Sequence, residues 1–451
     1  MSVVHGYSTA SVVAVSSATA APSKGTSLLG IPRRTAARWF GHGAAAVLDQ
    51  GLYGIANFGL NVALARILDA PEYGAFATAY SLFLLISIGH TALITQPLIV
   101  FGAGKYESRQ LSYLNGVLVG HWLLTAVASA VLLVIAVCLE WAGQGLVAGA
   151  LGGVALASPF LLLQWLMRRI CYVRRKPGRA ALAGGWYVVL LMSGLYLLWS
   201  AGRLSVMSAI ALMTVASVVS VLPIVLSVTR IPRQIHFREI LTDHIRFGRW
   251  AVATGFVEVF GQNVYFLVLP LIAGLESAAA LKALMNLEMP LLQAFSALSV
   301  LLVGALVRMQ GTSEFTRVIR RIGLLFTAVA LAYWLLLGLN ADRVFDWVYD
   351  GRYSSQAPVL WIIGLLPVAA GLSGVIGAAF HALRRPDVLL RAAIIGGSVA
   401  IISGVALSVW VDVAGAAAGL VLAPWVTVVA LTGRLRWLAS VAAAPQPIPA
   451  V

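Results

Sequence analysis

Long apolar runs dominate the chain, and short segments that carry its charged residues, glycines and prolines interrupt them. A run of about 20 apolar residues is long enough to cross the hydrocarbon core of a membrane as a helix. The runs that reach this length are residues 43–65, 75–100, 112–138, 146–167, 181–200, 205–228, 250–273, 280–306, 322–339, 358–380, 388–410 and 414–432. The pattern predicts an all-α integral membrane protein of about twelve transmembrane helices.

The composition excludes a water-soluble globular protein. Of the 451 residues, 60% are hydrophobic and 10% are charged, whereas a soluble domain carries roughly 25% charged residues. A transmembrane β-barrel is excluded too, because its strands alternate apolar and polar residues and contain no long apolar runs. The two cysteines, Cys138 and Cys171, are too few for a disulfide framework.

Membrane topology explains the net charge of +15. Cytoplasmic loops of membrane proteins collect Lys and Arg. With the N-terminus in the cytoplasm, all but five of the 31 basic residues fall on the cytoplasmic side. The five on the outer side are Arg66, Arg203, Lys282, Arg343 and Arg352. We therefore predict an N-in/C-in topology and expect no nucleic-acid partner.

The runs divide into two lobes of six helices. We predict a disordered cytoplasmic tail at 1–40, an N-lobe at 41–228, a linker at 229–249, a C-lobe at 250–433 and a second cytoplasmic tail at 434–451. The linker interleaves apolar and basic residues, which favours an amphipathic helix on the inner leaflet. Residues 63–75 and 271–279 form a weak internal repeat with an acid in a short external loop. Such repeats are typical of transporters that bind substrate between two lobes.

The segment between the first two runs resembles a known family. Residues 65–76 read ARILDAPEYGAF, which is similar to the loop A-R-x-L-G-P-x-x-Y-G-x-[FY] of Wzx-like polysaccharide flippases. These belong to the multidrug/oligosaccharidyl-lipid/polysaccharide (MOP) exporter superfamily. Where the family has Gly-Pro, this chain has Asp69-Ala70, and its proline follows at Pro71. The resemblance also includes Gly54, Asn57, Phe58 and Asn61 in the first run.

The resemblance implies a fold like that of the MATE exporters, with two six-helix bundles around a central cavity. It implies a flippase in the bacterial cytoplasmic membrane that moves an undecaprenyl-diphosphate-linked oligosaccharide to the outer leaflet by alternating access. Its product would serve exopolysaccharide, O-antigen or capsule synthesis. The implied partners are this substrate, membrane lipids and the polysaccharide polymerase and export machinery. The alternative is a cation-coupled drug or metabolite exporter of the same superfamily.

Enzymatic signatures are missing from the sequence. It contains no Gly-x-x-x-x-Gly-Lys-Ser/Thr phosphate loop and no His/Cys/Asp cluster with metal-ligand spacing. The longest external loop, residues 340–357, is too short for a catalytic domain. We therefore expect no enzymatic activity and no cofactor.

Polar side chains within the runs are the candidates for a transport site, because such groups are costly in hydrocarbon and by default face a cavity or a partner. On a helix, Gln50, Asn57 and Asn61 lie within about 40° of one another. They either line a cavity or join neighbouring helices by hydrogen bonds. Asp49 is either a coupling acid or an interfacial residue. Arg66 binds the substrate diphosphate, snorkels to the headgroups or pairs with Asp69 or Glu72.

The seventh and eighth runs carry the matching candidates of the second half. Glu258, Gln262 and Tyr265 share one helix face, Lys282 and Asn286 share another, and Glu288 points away from Asn286. The two glutamates are either coupling acids or members of structural pairs. The candidate cavity residues are thus Gln50, Asn57, Asn61, Arg66, Gln262, Tyr265, Lys282 and Asn286, and the candidate coupling acids are Asp49, Glu258 and Glu288.

Overall fold

The computed structural model describes residues 33–228, 236–383 and 385–443, and these residues are folded into helices joined by short turns. The first half contains α1 (Arg33–Ile67), α2 (Ala70–His90), a π-helical segment (Thr91–Thr95), α3 (Gln96–Gly102), α4 (Gln110–Trp141), α5 (Gly145–Val173), α6 (Pro177–Ser200) and α7 (Val206–Val228). The second half contains α8 (Phe237–Asn263), α9 (Tyr265–Ile272), α10 (Leu275–Arg308), α11 (Ser313–Leu339), α12 (Ala341–Tyr349), a 3₁₀ segment (Ser354–Val359), α13 (Leu360–Ile363), α14 (Leu366–Ala382) and α15 (Pro386–Ala443).

The helices are those of a multi-pass membrane protein. Ten helical segments of the described chain are long and apolar enough to cross a membrane. One of them, within α15, contains two predicted runs, and its backbone leaves the helical conformation at Val411 and Asp412. This break falls where the sequence places the turn between residues 410 and 414. The total of twelve spans and the N-in/C-in orientation stay predictions.

The predicted tails and linker differ in part from the described helices. Residues 1–32 of the first tail, 229–235 of the linker and 444–451 of the last tail lie outside the described residues. Residues 33–40 are helical within α1, and α15 continues to Ala443. The helix α8 joins the described part of the linker to the seventh run without interruption.

The described chain forms two compact units, and the boundary along the chain lies between Gly255 and Phe256. We call them the N-terminal unit and the C-terminal unit. In the N-terminal unit, a buried cluster around Leu166 and Ile170 of α5 includes Ile240 of α8. The first half of α8 is therefore packed into the N-terminal unit. In the C-terminal unit, α10, α11 and α14 share a cluster in which Phe295 and Phe326 stack with ring centroids 4.3 Å apart.

The loop that carries the family resemblance is a tight corner between two helices. Only Leu68 and Asp69 separate α1 from α2. Tyr73 and Phe76, which follow in α2, are buried, and the Tyr73 hydroxyl donates to Asn61 Oδ1 of α1 at 3.5 Å. This part of the motif thus fastens α2 to α1, while Arg66 lies exposed at the end of α1.

Candidate functional site: buried polar groups in the membrane helices

An ion pair lies inside the N-terminal unit between α1 and α5. Asp49 is 1% exposed and Arg168 is 8% exposed. Arg168 donates from Nε to Oδ1 and from Nη2 to Oδ2 of Asp49, both at 2.9 Å. Such two-point pairing is the strongest geometry for an arginine and a carboxylate. The carboxylate predicted as a coupling acid is thus neutralised by a residue of its own unit.

Aromatic side chains enclose this ion pair. The Tyr172 hydroxyl donates to Asp49 Oδ2 at 2.7 Å. The Arg168 guanidinium carbon lies 4.6 Å from the ring centroid of Tyr53, and Trp165 Nε1 donates to the Tyr53 hydroxyl at 2.7 Å. Tyr187 of α6 stacks on Tyr53 with centroids 6.0 Å apart. The sequence predicted Asp49 as a coupling acid or an interfacial residue, and it counted Arg168 among the basic residues of the cytoplasmic side.

Gln50, Asn57 and Asn61 form the predicted amide face of α1, and part of this face is buried inside the N-terminal unit. Asn57 and Asn61 are buried, whereas Gln50 is half-buried. Asn61 Nδ2 donates to the Asn57 carbonyl at 2.8 Å, and its Oδ1 accepts from Tyr73. Asn61 therefore has the bonding of a residue that joins α1 to α2, which favours the second of the two predicted roles for this position.

Two histidines from different helices of the N-terminal unit form a pair. His90, at the end of α2, and His121 of α4 are both buried, and Nε2 of the first lies 2.9 Å from Nδ1 of the second. The sequence does hold a signal for this pairing. In antiparallel neighbouring runs, both residues lie about ten positions from the predicted cytoplasmic end, and hence at similar depth.

A second group of polar residues lies in the C-terminal unit on α10. Lys282 and Asn286 are buried, and the Lys282 ammonium nitrogen is 5.6 Å from the ring centroid of Phe266. A cation at that distance over an aromatic ring is attracted by the ring's negative face. Tyr349 of α12 donates its hydroxyl to the Ala283 carbonyl at 2.8 Å. The predicted shared face of Lys282 and Asn286 is thus an interior face.

Glu288 is the most enclosed acid of the described chain. It is 0% exposed, and neither carboxyl oxygen has a hydrogen-bond partner among the described residues. Tyr333 of α11 lies beside it and donates to the carbonyl of the preceding residue, Leu287, at 2.6 Å. A carboxyl in this position can bind and release a proton without competing with an arginine or lysine partner.

The remaining candidates lie around the junction of α8 and α9. Tyr265 is buried and donates to the Ala400 carbonyl of α15 at 2.6 Å. Gln262 is half-buried, and the side chain of Glu258 is outside the described part of the structure. Val264, between α8 and α9, has helical torsion angles, and its N–H donates to the Phe260 carbonyl at 2.9 Å. The common face of Glu258, Gln262 and Tyr265 stays a prediction.

The described residues offer no cluster of three or more His, Cys, Asp or Glu side chains that could hold a metal ion.

Comparison with solved structures shows which fold this arrangement has. No protein-family model matches the chain, and no curated protein matches it. An inward-facing multidrug resistance MATE transporter of the MOP superfamily shares 15% identity over 88% of this chain and 96% of its own, with a TM-score of 0.71. The chain has the MOP fold.

Two further solved structures share this fold. The inward closed lipid II flippase MurJ has a TM-score of 0.67 at 14% identity, covering 87% of this chain and 87% of its own. A MOP superfamily transporter from Pyrococcus furiosus has a TM-score of 0.60 at 15% identity, covering 89% of this chain and 94% of its own. The all-helical MOP fold expected from residues 65–76 is thereby confirmed, and the narrower Wzx-like family stays an expectation.

Proposed function

We propose that this chain is a flippase that moves undecaprenyl-diphosphate-linked oligosaccharide repeat units from the inner to the outer leaflet of a bacterial cytoplasmic membrane. The observation that carries the proposal is the fold, shared over 87% of both chains with the lipid II flippase MurJ. The similarity of residues 65–76 to the polysaccharide-flippase loop supports the same substrate class. Surface polysaccharide synthesis supplies the partners, a polymerase and an export machinery.

The physical task explains the polar groups buried in the membrane helices. A diphosphate and many sugar hydroxyls cannot cross hydrocarbon unaided, because each unpaired polar group costs several kcal/mol there. Alternating access replaces this barrier with a protein-lined path, while the prenyl tail stays in lipid. The half-buried amides Gln50 and Gln262 and the cation Lys282 are the side chains that we assign to this path.

Energy coupling is assigned to Glu288. Among the proposed acids with described side chains, Asp49 is held by Arg168, whereas Glu288 has no hydrogen-bond partner in the described structure. The binding of one proton to Glu288 changes the charge of the buried group, and a charge change of this kind can bias a transporter between two conformations.

The test of the substrate is a deletion strain whose undecaprenyl-diphosphate-linked glycans are extracted and analysed by mass spectrometry. Accumulation of a complete repeat unit, together with loss of surface polysaccharide, is the expected result. Complementation with the wild-type gene is the control. An unchanged lipid-linked pool with normal surface polysaccharide, in a strain without a second flippase gene, would overturn the proposal.

A cation-coupled drug or metabolite exporter is the second candidate function, and the fold shared with an inward-facing multidrug resistance MATE transporter is the observation that favours it. In proteoliposomes with an imposed proton gradient, an exporter moves a water-soluble cationic dye against its concentration gradient. A flippase instead changes the leaflet of a fluorescent lipid-linked sugar. The same preparation tested with both substrates separates the two functions.

A further inference from the structure

The segment Phe237–Arg249, the first half of α8, is fixed against the N-terminal unit by one of its faces. His244 donates from Nδ1 to the Leu93 carbonyl at 2.8 Å. In an α-helix that carbonyl would accept from residue 97, but Pro97 has no N–H to donate. Nε2 of His244 accepts from the Tyr113 hydroxyl at 2.9 Å. The docked face of α8 is therefore specified by a backbone irregularity in the neighbouring helix.

The acidic residues of this segment belong to the same docked face. Asp243 accepts from Lys105 and from the Tyr106 hydroxyl, each at 2.6 Å. Glu239 accepts from Arg109 at 2.7 and 2.9 Å. Lys105 and Arg109 lie between α3 and α4. Both carboxylates of the segment are thus bonded to the N-terminal unit.

The basic residues lie on the opposite face. At about 100° per residue, the exposed residues Arg238, Leu241, Ile245, Arg246 and Arg249 fall within about 140° of one another. Leu241 is 43% exposed and Ile245 is 51% exposed. Among the ion pairs between described residues, none includes Arg238 or Arg246. We call this surface the outer face of α8.

The ion pairs of the docked face place the segment near the membrane surface, because Lys105 and Arg109 lie where the chain turns from one candidate membrane-crossing segment to the next. The other contacts extend to residues deeper in these segments, since Phe237 lies beside Gly120 and Gly248 packs against Ala92. A helix in this position presents its outer face to lipid headgroups and the adjoining acyl chains.

We propose that the outer face of α8 is a binding surface for anionic phospholipids of the inner leaflet. Arg238 and Arg246 attract the headgroup phosphates, and Leu241 and Ile245 insert between the acyl chains. The distribution of charge on the segment supports anionic phospholipid as the ligand. Every carboxylate of the segment is bonded on the docked face, so the outer face is positive. Clusters of arginine next to a membrane span are attracted to anionic lipid in this way.

The test uses the full-length protein in detergent, titrated with phosphatidylglycerol or phosphatidylcholine and followed by native mass spectrometry and thermal unfolding. The wild type is expected to bind phosphatidylglycerol in preference to phosphatidylcholine. In R238Q/R246Q, the affinity for phosphatidylglycerol should fall by roughly tenfold to thirtyfold. The matched control R203Q/R343Q, which removes two exposed arginines elsewhere, should bind like the wild type.

Three further results decide the proposal. R238K/R246K should keep the preference for phosphatidylglycerol, because headgroup attraction requires charge and not the shape of the guanidinium. Unchanged lipid preference in R238Q/R246Q would overturn the proposal. Equal stabilisation by millimolar inorganic phosphate would overturn it in favour of a soluble-anion site. If the glutamine variant does not fold, the salt dependence decides: wild-type binding that is equal at about 50 and about 500 mM salt contradicts an electrostatic lipid surface.

Discussion

Arg168 and Asp49 face each other inside the N-terminal unit, with both Arg–carboxylate hydrogen bonds at 2.9 Å. Their positions in the sequence are 119 residues apart, and each side chain alone would be a costly charge in the membrane. Together they form a neutral unit that Tyr172 completes by donating to Asp49. The pair therefore joins α1 to α5 and leaves neither charge free for a substrate.

Removal of one member of this pair should be strongly destabilising. Arg168→Gln leaves a buried carboxylate without its counter-charge, which typically costs about 3 to 5 kcal/mol. We expect a lower thermal unfolding midpoint of the purified protein in detergent. Arg175→Gln is the control, since that side chain is 79% exposed and its loss should change stability by less than about 1 kcal/mol.

The double variant D49N/R168Q tests whether the two residues act together. It removes both charges at once, so its loss of stability should be smaller than the sum of the losses in D49N and R168Q. The expected coupling energy is about 1 to 3 kcal/mol. Strictly additive losses would show that the two side chains stabilise the protein independently, contrary to the structure.

Glu288→Gln should alter the pH dependence of transport and leave the fold intact. Glutamine has nearly the shape of a protonated carboxyl, and Glu288 has no hydrogen-bond partner to lose among the described residues. Transport of a fluorescent lipid-linked sugar into the outer leaflet of proteoliposomes, measured from about pH 5 to about pH 8, should become slower and nearly independent of pH.

Two parallel variants make this result specific. Glu276→Gln changes an exposed acid of the same helix and should keep the wild-type pH profile. Glu258→Gln tests the rival acid of the seventh run. A flat profile in Glu258→Gln with a normal profile in Glu288→Gln would move the coupling role to Glu258.

Helix positions could be predicted from the sequence because the thickness of a membrane constrains them directly. The turn between residues 410 and 414 is an example of a short break between two helices that the sequence predicts. Val411 and Asp412 break α15 at that point, and a Cβ added at Gly415 would collide with the backbone of Leu407. A glycine beside a short break in an apolar run is a local signal, and local signals can be read from one sequence.

The partners of buried polar groups could not be predicted in the same way. Arg168 lies one residue beyond the run 146–167, so its long side chain could reach the membrane surface or turn inward, and periodicity does not distinguish these. The structure turns it toward Asp49. For Asn61, the sequence gives the helix face but not its neighbour, and the contact with Tyr73 follows only from the packing of α1 on α2.

Gly248→Ala should weaken the docking of α8. A Cβ at Gly248 would lie 2.6 Å from the Ala92 carbonyl oxygen and 2.7 Å from Leu93 Cδ2, so α8 must shift away from the π-helical segment. The expected cost is about 1 to 3 kcal/mol, together with faster hydrogen exchange of residues 237–249. Gly149→Ala is the matched control because its Cβ would meet nothing within 4 Å. Equal protection of residues 237–249 in both variants would contradict this packing.

Docking of α8 should also weaken as the pH falls. Burial lowers the pKa of His244, although the hydrogen bond to the Leu93 carbonyl partly offsets this. The docked histidine therefore binds a proton less readily than an unfolded one, whose pKa is about 6.5. The stabilisation by neutral His244 is complete above about pH 6.5 and is lost as the pH falls through its lower pKa in the docked state.

The carboxylates near His244 also weaken the docking of α8 as the pH falls, but they do so in a lower pH range. The hydrogen bond from Lys105 lowers the pKa of Glu239. Partial burial opposes ionisation of Asp243, but hydrogen bonds from Lys105 and Tyr106 lower its pKa. Their contribution is present above the ordinary carboxyl range near pH 4 and is lost below it. Hydrogen bonds to Asp243 and Glu239 raise the pKa of Lys105, so its contribution is lost only in strongly alkaline solution.

Hydrogen exchange of residues 237–249, corrected for the intrinsic effect of pH, measures this dependence. Protection in the wild type should be highest near pH 8 and fall between about pH 6.5 and about pH 5. His244→Gln keeps a donor for the Leu93 carbonyl but cannot titrate, so its protection should start lower and change little over that interval. Parallel loss of protection in both proteins would show that another group controls the docking of α8.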